Sequence, residues 1–192
     1  MKRSFFIADT HFGHANVLKH DKRPFADIEA HDKSLIENWN RVLNDDDECY
    51  ILGDVSWLKP EQTVEILKQL RGKKHLIIGN HDKKLLKNDA FRNCFESIQD
   101  YLEMKVPHNG RHELLVLSHY PIISFNNRFE GGVHFYGHVH NSDEWILTEE
   151  FRRLSEQRLN APCRMFNVGV MMPAMNYTPR TFEEIINSQS IE

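Results

Sequence analysis

The chain has 192 residues, of which 40% are hydrophobic, a length and composition that suit one compact domain and exclude an intrinsically disordered chain. Its formal net charge of −4 excludes a general electrostatic attraction to nucleic acid or to an anionic membrane. An anionic substrate stays compatible with this charge, because bound metal ions supply local positive charge.

Short apolar runs alternate with helical patterns along the chain. Continuous rather than alternating apolar character predicts strands that are buried on both faces of a sheet. The predicted strands cover residues 4–8, 49–52, 75–78, 114–117, 133–136 and 166–170. The predicted helices cover residues 28–42, 60–70, 83–91 and 181–186. This alternation predicts an α/β sandwich that forms one domain over residues 1–192.

Residues 101–117 interrupt the alternation. They carry two strand patterns joined by a turn that ends in Asn109-Gly110, and Asn-Gly between strands is typical of a hairpin. The second half of the chain is therefore expected to be partly antiparallel, which makes the sheet structure mixed. Residues 124–132 are expected to form a surface loop.

The cysteines and the N-terminus indicate the compartment. Cys49, Cys94 and Cys163 are odd in number and form no Cys-x-x-Cys pair, which is typical of reduced thiols. Asp9 interrupts the apolar run that a signal peptide needs. Since no apolar stretch reaches the roughly 20 residues of a membrane helix, a cytoplasmic protein is expected.

Five predicted strands are each followed at once by side chains that ligate metals. Because ligands bind beyond the carboxyl ends of strands in α/β sheets, these clusters are expected to converge in space. The clusters are Asp9-Thr10-His11, Gly53-Asp54, Gly79-Asn80-His81-Asp82, Ser118-His119 and Gly137-His138-Val139-His140. In extended backbone, the two-residue spacing places Asp9 with His11, and His138 with His140, on one side, so that each pair could hold one ion or neighbouring ions. The glycines before the ligands are expected to allow tight turns and close approach.

The candidate ligands mix carboxylate, imidazole and amide groups, and this mixture favours Mn²⁺, Fe or Zn²⁺ over Ca²⁺. We expect two divalent ions, first of all Mn²⁺, with Fe, Zn²⁺ or Ni²⁺ as alternatives. Seven ligands are too many for one closed zinc site but match two ions that share a carboxylate, the usual apparatus for displacement at phosphorus.

Taken together, the five motifs resemble those of the calcineurin-like metallophosphoesterase superfamily. Residues 8–14 and 166–170 further resemble its small single-domain bacterial and phage members. The resemblance implies a four-layer α-β-β-α sandwich with mixed sheets, and it places His81 beside the substrate without binding a metal. The implied ligands are Asp9, His11 and His140 for one ion, Asn80, His119 and His138 for the other, and Asp54 as the bridge.

The chain departs from the protein-phosphatase branch of that superfamily. There, a second aspartate follows the Gly-Asp motif and orients the catalytic histidine, whereas Trp57 holds that position here. This departure argues against a protein phosphatase and leaves the orienting partner of His81 open. Asp82 is one candidate, and a purely turn-stabilising role for Asp82 is the alternative.

A few residues outside the ligand set are candidates for contacting substrate. His14 either faces the substrate or caps a helix. Arg23 and Arg128 could each clamp a phosphate with paired hydrogen bonds, although most arginines are solvated surface residues. A solvated helix face is expected for Lys83, Lys84 and Lys87. No role is assigned to His20, His31, His75, His108 and His112.

The sequence thus predicts a phosphoesterase that hydrolyses mono- or diesters of a phosphorylated small molecule by attack of a hydroxide that bridges two metal ions. His81 would protonate the leaving group or stabilise its charge, and Asn80 would also touch the phosphate. A nuclease or nucleotide phosphodiesterase is one alternative, although the net charge disfavours nucleic acid. A non-catalytic interaction module of the same fold is the other, but it should have lost His81 or a ligand.

Overall fold

A computed structural model describes residues 2–188 of the chain as two β-sheets with flanking helices. The strands are β1 (Ser4–Ile7), β2 (Glu48–Ile51), β3 (Lys73–Ile77), β4 (Ser97–Gln99), β5 (Tyr101–His108), β6 (Arg111–Ser118), β7 (Val133–Tyr136), β8 (Met165–Asn167) and β9 (Arg180–Thr181). The helices are α1 (Val17–His20), α2 (Ile28–Val42), α3 (Pro60–Gln69), α4 (Asp89–Arg92), α5 (Asp143–Leu159) and α6 (Phe182–Ser188). Met1 and residues 189–192 of the predicted domain lie outside the described residues.

Both sheets mix parallel and antiparallel strands. The first has the order β4-β3-β2-β1-β9, in which β9 alone is antiparallel to its neighbour. The second has the order β5-β6-β7-β8, in which β5 and β6 are antiparallel. The expected hairpin joins β5 and β6, and its turn residues Asn109 and Gly110 have φ of 49° and 76°. Positive φ at both turn positions is why Asn-Gly suits this turn.

The two sheets pack face to face between helices. The ring of Phe6 on β1 meets that of Phe135 on β7 edge-on, with centroids 5.1 Å apart. Trp39 of α2 joins the core of the first sheet, and Phe151 of α5 packs with Tyr136 on the second sheet. The α/β sandwich that the sequence predicts is therefore confirmed.

The sheets join at the carboxyl end of β1. The Ala8 N–H donates to the Val168 carbonyl at 2.9 Å, and the Val170 N–H donates to the Ala8 carbonyl at 3.0 Å. These bonds pair the chain after β1 with the chain after β8, across the gap between the sheets. Motifs that follow strands of both sheets are consequently brought to one end of the molecule.

The predicted helix over residues 83–91 is wrong. The structure has a short 3₁₀ turn over Leu85–Lys87 followed by the separate helix α4. Asn88 divides them because its backbone is extended (φ −97°, ψ 123°) and its side chain accepts a hydrogen bond from the Phe91 N–H at 3.1 Å. Asparagine at such a position caps a new helix rather than continuing the old one.

Helix α5 has no counterpart among the predicted elements. Its apolar residues Ile146, Leu147 and Leu154 are exposed, so they do not mark one buried stripe. The signal that could have revealed it is its start, where Ser142 caps the Glu144 N–H and acidic residues occupy the first turn. Within residues 2–188, no helix combines the length and apolar character needed to cross a membrane.

Candidate metal centre

Six of the seven predicted ligands gather into two groups at the joined end of the sheets, and within each group the ligand atoms lie within 4.8 Å of one another. The groups are Asp9 with His11 and His140, and Asp54 with His119 and His138. Asn80 adjoins the second group, because its Oδ1 lies 2.9 Å from His119 Nε2. The folded chain thus brings all seven residues together.

The Asp54 carboxylate lies between the two groups. Its Oδ2 is 3.7 Å from His11 Nε2 in the first group and 3.6 Å from His119 Nε2 in the second. One carboxylate oxygen therefore lies within 3.7 Å of a histidine Nε2 atom from each group.

The ligand residues have unusual backbone conformations. Five of the seven take the left-handed region, with φ of 57° at Asp9, 51° at His11, 54° at Asp54, 70° at His138 and 49° at His140. This corrects the expectation of extended backbone at these positions. His138 and His140 lie in different, adjoining groups, which agrees with the alternative of neighbouring ions. Left-handed non-glycine residues cost about 1–3 kcal/mol each and cluster at functional sites.

Two glycines let the backbone approach the ligand side chains, as expected. A Cβ atom on Gly53 would lie 2.6 Å from His119 Nδ1, and one on Gly137 would lie 2.7 Å from Asp9 Oδ2. Because real Cβ atoms do not come so close, any larger residue would push these ligands out of place.

Hydrogen bonds turn the histidine Nε2 atoms toward the centre. His119 Nδ1 lies 2.8 Å from the Leu52 carbonyl and His140 Nδ1 lies 2.8 Å from Asp21 Oδ1, so both Nδ1 atoms are assigned as donors. This leaves each Nε2 lone pair free to ligate. His11 Nε2 is buried and has no hydrogen-bond partner among the described residues. Since buried polar atoms are normally paired, this atom fits a metal ligand.

Burial disfavours charge on these ligands. It raises the pKa of Asp9, although His140 and His119 oppose the shift, and it also raises the pKa of Asp54. Burial likewise lowers the pKa of His11 well below its ordinary value. A divalent cation would offset the cost of the buried carboxylates and would favour neutral imidazole ligands, so the donor set fits such an ion.

Arg23 and Asp21 support the first ligand group, a role that the sequence did not predict for either residue. Buried Arg23 donates Nε and Nη2 to Asp21 Oδ2 at 2.9 and 2.8 Å, and Nη2 also donates to the Asp9 carbonyl at 3.0 Å. Asp21 in turn holds His140, which lies 119 positions away in the sequence. Arg23 is therefore a support of the Asp9 turn and of His140 rather than a phosphate clamp. The separation in sequence is why no spacing rule points to Asp21.

We expect Asp21→Asn to weaken metal binding at the first group by about 10–100-fold, the usual effect of losing a partner of a ligating histidine. The amide keeps the size of the carboxylate but lacks the charge that makes His140 a better ligand. A Mn²⁺ titration against a competing chelator would measure this change. Asp47→Asn is the matched control, because Asp47 is also buried and paired with an arginine, Arg3, at 2.7 Å. Equal weakening in both variants would contradict this role of Asp21.

The Trp57 ring and three histidine rings pack together beside the ligand groups. The His14 and Trp57 rings are parallel with centroids 4.0 Å apart, and His11 and His81 lie 4.6 and 4.1 Å from the Trp57 ring. These residues line an open cavity of about 490 Å³ that also contains ligands of both groups. His14 thus faces this cavity rather than capping α1, whose N-cap residue, Asn16, makes no side-chain capping bond.

Asp82 stabilises a turn and does not orient His81, the two roles that the sequence left open. Its carboxylate accepts hydrogen bonds from the N–H groups of Asp54, Val55 and Gly79 at 3.0, 2.9 and 2.8 Å. The carboxylate nearest to His81 is instead that of Asp54, whose Oδ2 lies 3.9 Å from His81 Nε2. Asp82 therefore ties the turns after β2 and β3 together.

The structure does not bring Arg128 to this centre. The Arg128 side chain is buried, donates to Cys163 Sγ at 3.3 Å and to the Ser155 hydroxyl, and lies over the Phe129 ring at 4.9 Å. Its donors are directed into the protein, where they fasten the loop of residues 124–132 to α5. The expected contact of Arg128 with substrate is corrected by this placement.

Fold and site together define an α/β sandwich protein with two adjoining groups of metal-ligand side chains. No protein-family model matches the chain. It is 32% identical over 189 residues to the uncharacterized protein MJ1445 of Methanocaldococcus jannaschii, covering 97% of this chain and 90% of that protein. It is 31% identical over 162 residues to the gene 66 protein of Mycobacterium phage D29, covering 73% and 80%. The chain belongs to the family of these two proteins.

A solved structure shares this fold over nearly its full length. The protein of unknown function AQ665 from Aquifex aeolicus matches with a TM-score of 0.66 at 27% sequence identity. The match covers 96% of this chain and 97% of that chain.

Proposed function

We propose that this protein is a phosphoesterase of the calcineurin-like superfamily that uses two divalent metal ions. The observation that carries the proposal is the position of Asp54 Oδ2, 3.7 Å from His11 Nε2 and 3.6 Å from His119 Nε2. A carboxylate within reach of two ligand groups suits the paired ions of enzymes that displace groups at phosphorus. The proposed ligands are Asp9, His11 and His140 for one ion, Asn80, His119 and His138 for the other, and Asp54 for both.

The mixture of oxygen and nitrogen donors favours Mn²⁺, with Fe, Zn²⁺ and Ni²⁺ as alternatives. Two ions held there would supply a hydroxide nucleophile and neutralise charge on the phosphoryl oxygens. Asn80 turns its Oδ1 toward His119, so its amide N–H groups are left to donate to a phosphoryl oxygen. A non-catalytic module is disfavoured, because every proposed ligand and His81 are retained and converge.

The surroundings of His81 support the proposal that it acts on the leaving group. Its side chain is 47% exposed at the cavity, with Nε2 3.9 Å from Asp54 Oδ2. The Trp57 ring lies 4.1 Å from the His81 ring, centroid to centroid. In its imidazolium form, His81 would donate the Nε2 proton to the departing oxygen or stabilise the charge that develops there.

A hydrolysis panel tests this function. Aryl phosphate monoesters and diesters would each be incubated with protein reconstituted with Mn²⁺, Fe²⁺, Ni²⁺, Zn²⁺ or Mg²⁺. We expect hydrolysis of at least one ester class, which depends on added metal and is strongest with Mn²⁺. Protein that binds its ions but hydrolyses neither class under any of these metals would contradict the proposal.

A further inference from the structure

A second cavity, of about 360 Å³, adjoins the metal centre on the side of His81. We propose that it binds an anionic group, such as a further phosphate, carried by the leaving group of the substrate. This inference rests on the proposed phosphoesterase function and names the substrate class more closely. The residues that line this cavity and carry the argument are Trp57, Asn80, His81, Lys83 and Lys84.

The two cavities share a wall. Trp57 and His81 line both of them, and their ring centroids are 4.1 Å apart. A substrate with its phosphorus at the metal centre would direct the departing oxygen toward His81. The rest of the leaving group would then extend past His81 into the second cavity.

Two lysines, Lys83 and Lys84, line the second cavity and make it a candidate site for an anion. Lys83 and Lys84 are exposed and follow directly after Asp82, whose three backbone hydrogen bonds hold the turn in place. Within residues 2–188, the lysines paired with carboxylates are Lys2, Lys33 and Lys68. Lys83 and Lys84 are not among them, so their charges are available to an anion in the cavity.

This placement corrects the expectation of a solvated helix face. Lys83 and Lys84 lie in the turn between Asp82 and the 3₁₀ segment Leu85–Lys87, and neither belongs to a helix. Lys87 lies within that segment and does not line the cavity. Only the first two lysines therefore carry the inference, and Lys87 provides a matched control.

Trp57 supplies the apolar part of the cavity. Trp57 is 39% exposed, and the rings of His14 and His11 stack against its indole. The exposed part of Trp57 suits the carbon skeleton of a leaving group, while the two lysines suit an anionic end. The cavity thus fits a leaving group with an apolar body and a distal phosphate or phosphonate.

A matched substrate pair tests the inference. Phenyl phosphate and 4-(phosphonomethyl)phenyl phosphate share the bond that breaks, and the second differs by a distal phosphonate whose C–P bond resists hydrolysis. Both would be assayed as monoesters and as methyl diesters. We expect kcat/KM to be about tenfold higher for the phosphonate-bearing member, and this preference should shrink as salt screens the charges.

The lysine variants locate the source of that preference. Lys83→Gln/Lys84→Gln should bring the ratio of kcat/KM values close to one, while Lys87→Gln should keep the wild-type ratio. Circular dichroism and thermal unfolding would check that the variants are folded. A ratio near one in the wild type, or a ratio unchanged in the double variant, would overturn the inference and leave the proposed function intact. Absence of hydrolysis of every member would overturn both.

Discussion

His81→Ala is expected to keep its metal ions and its fold while losing about 10²–10⁴-fold in turnover, the usual contribution of a positioned acid or base. The exposed side chain can be removed without opening the core. The backbone N–H of residue 81 donates to Asp54 Oδ1 at 3.0 Å. This hydrogen bond does not involve the side chain, so the substitution leaves it in place. Turnover and metal content measured on the same samples would separate this outcome from loss of a ligand.

The chemistry of the leaving group sharpens this prediction. The loss should be smaller for p-nitrophenyl esters, whose leaving group needs little protonation, and larger for alkyl phosphates. An equal loss on both would indicate charge stabilisation rather than proton donation. His112→Ala is the control, because His112 is exposed near the amino end of β6, the end away from the metal centre. Full activity in metal-loaded His81→Ala would contradict the role assigned to His81.

Asp54→Ala is expected to bind fewer than two metal ions per chain. It should also have the lowest activity of the ligand variants. Asp54 is buried and lies within reach of both ligand groups, so its removal weakens both sites at once. The loss of metal affinity should exceed the about 10–100-fold expected for an outer partner such as Asp21. Elemental analysis after equilibration with Mn²⁺ would measure the number of ions per chain.

A conservative variant separates the charge of Asp54 from its shape. Asp54→Asn keeps one oxygen and the size of the side chain, so its metal content should fall between those of the wild type and Asp54→Ala. Two ions bound to Asp54→Ala with wild-type affinity would show that the carboxylate is not shared.

The convergence of the motifs could be predicted because its cause is visible in local sequence. Apolar runs identify β1, β2, β3, β6 and β7, and polar clusters follow these runs at once. The Asn109-Gly110 turn reveals the hairpin for the same reason, since the backbone conformation it needs depends on those two residues.

Other features depend on packing between distant segments, and sequence patterns do not report such packing. Whether Arg23 is a solvated surface residue or a buried support is decided by Asp21 and by the carbonyl of Asp9, which surround it in the fold. The left-handed backbone at Asp9 and His140 likewise depends on contacts that hold these turns. Lys83 and Lys84 line the second cavity from the turn that replaces the expected helix.

The most direct test of the two-metal account is anomalous diffraction from crystals of the protein loaded with Mn²⁺. We predict two anomalous peaks per chain, one beside Asp9, His11 and His140 and the other beside Asn80, His119 and His138, with the Asp54 carboxylate contacting both ions. A single peak, or peaks that do not share Asp54, would contradict the account.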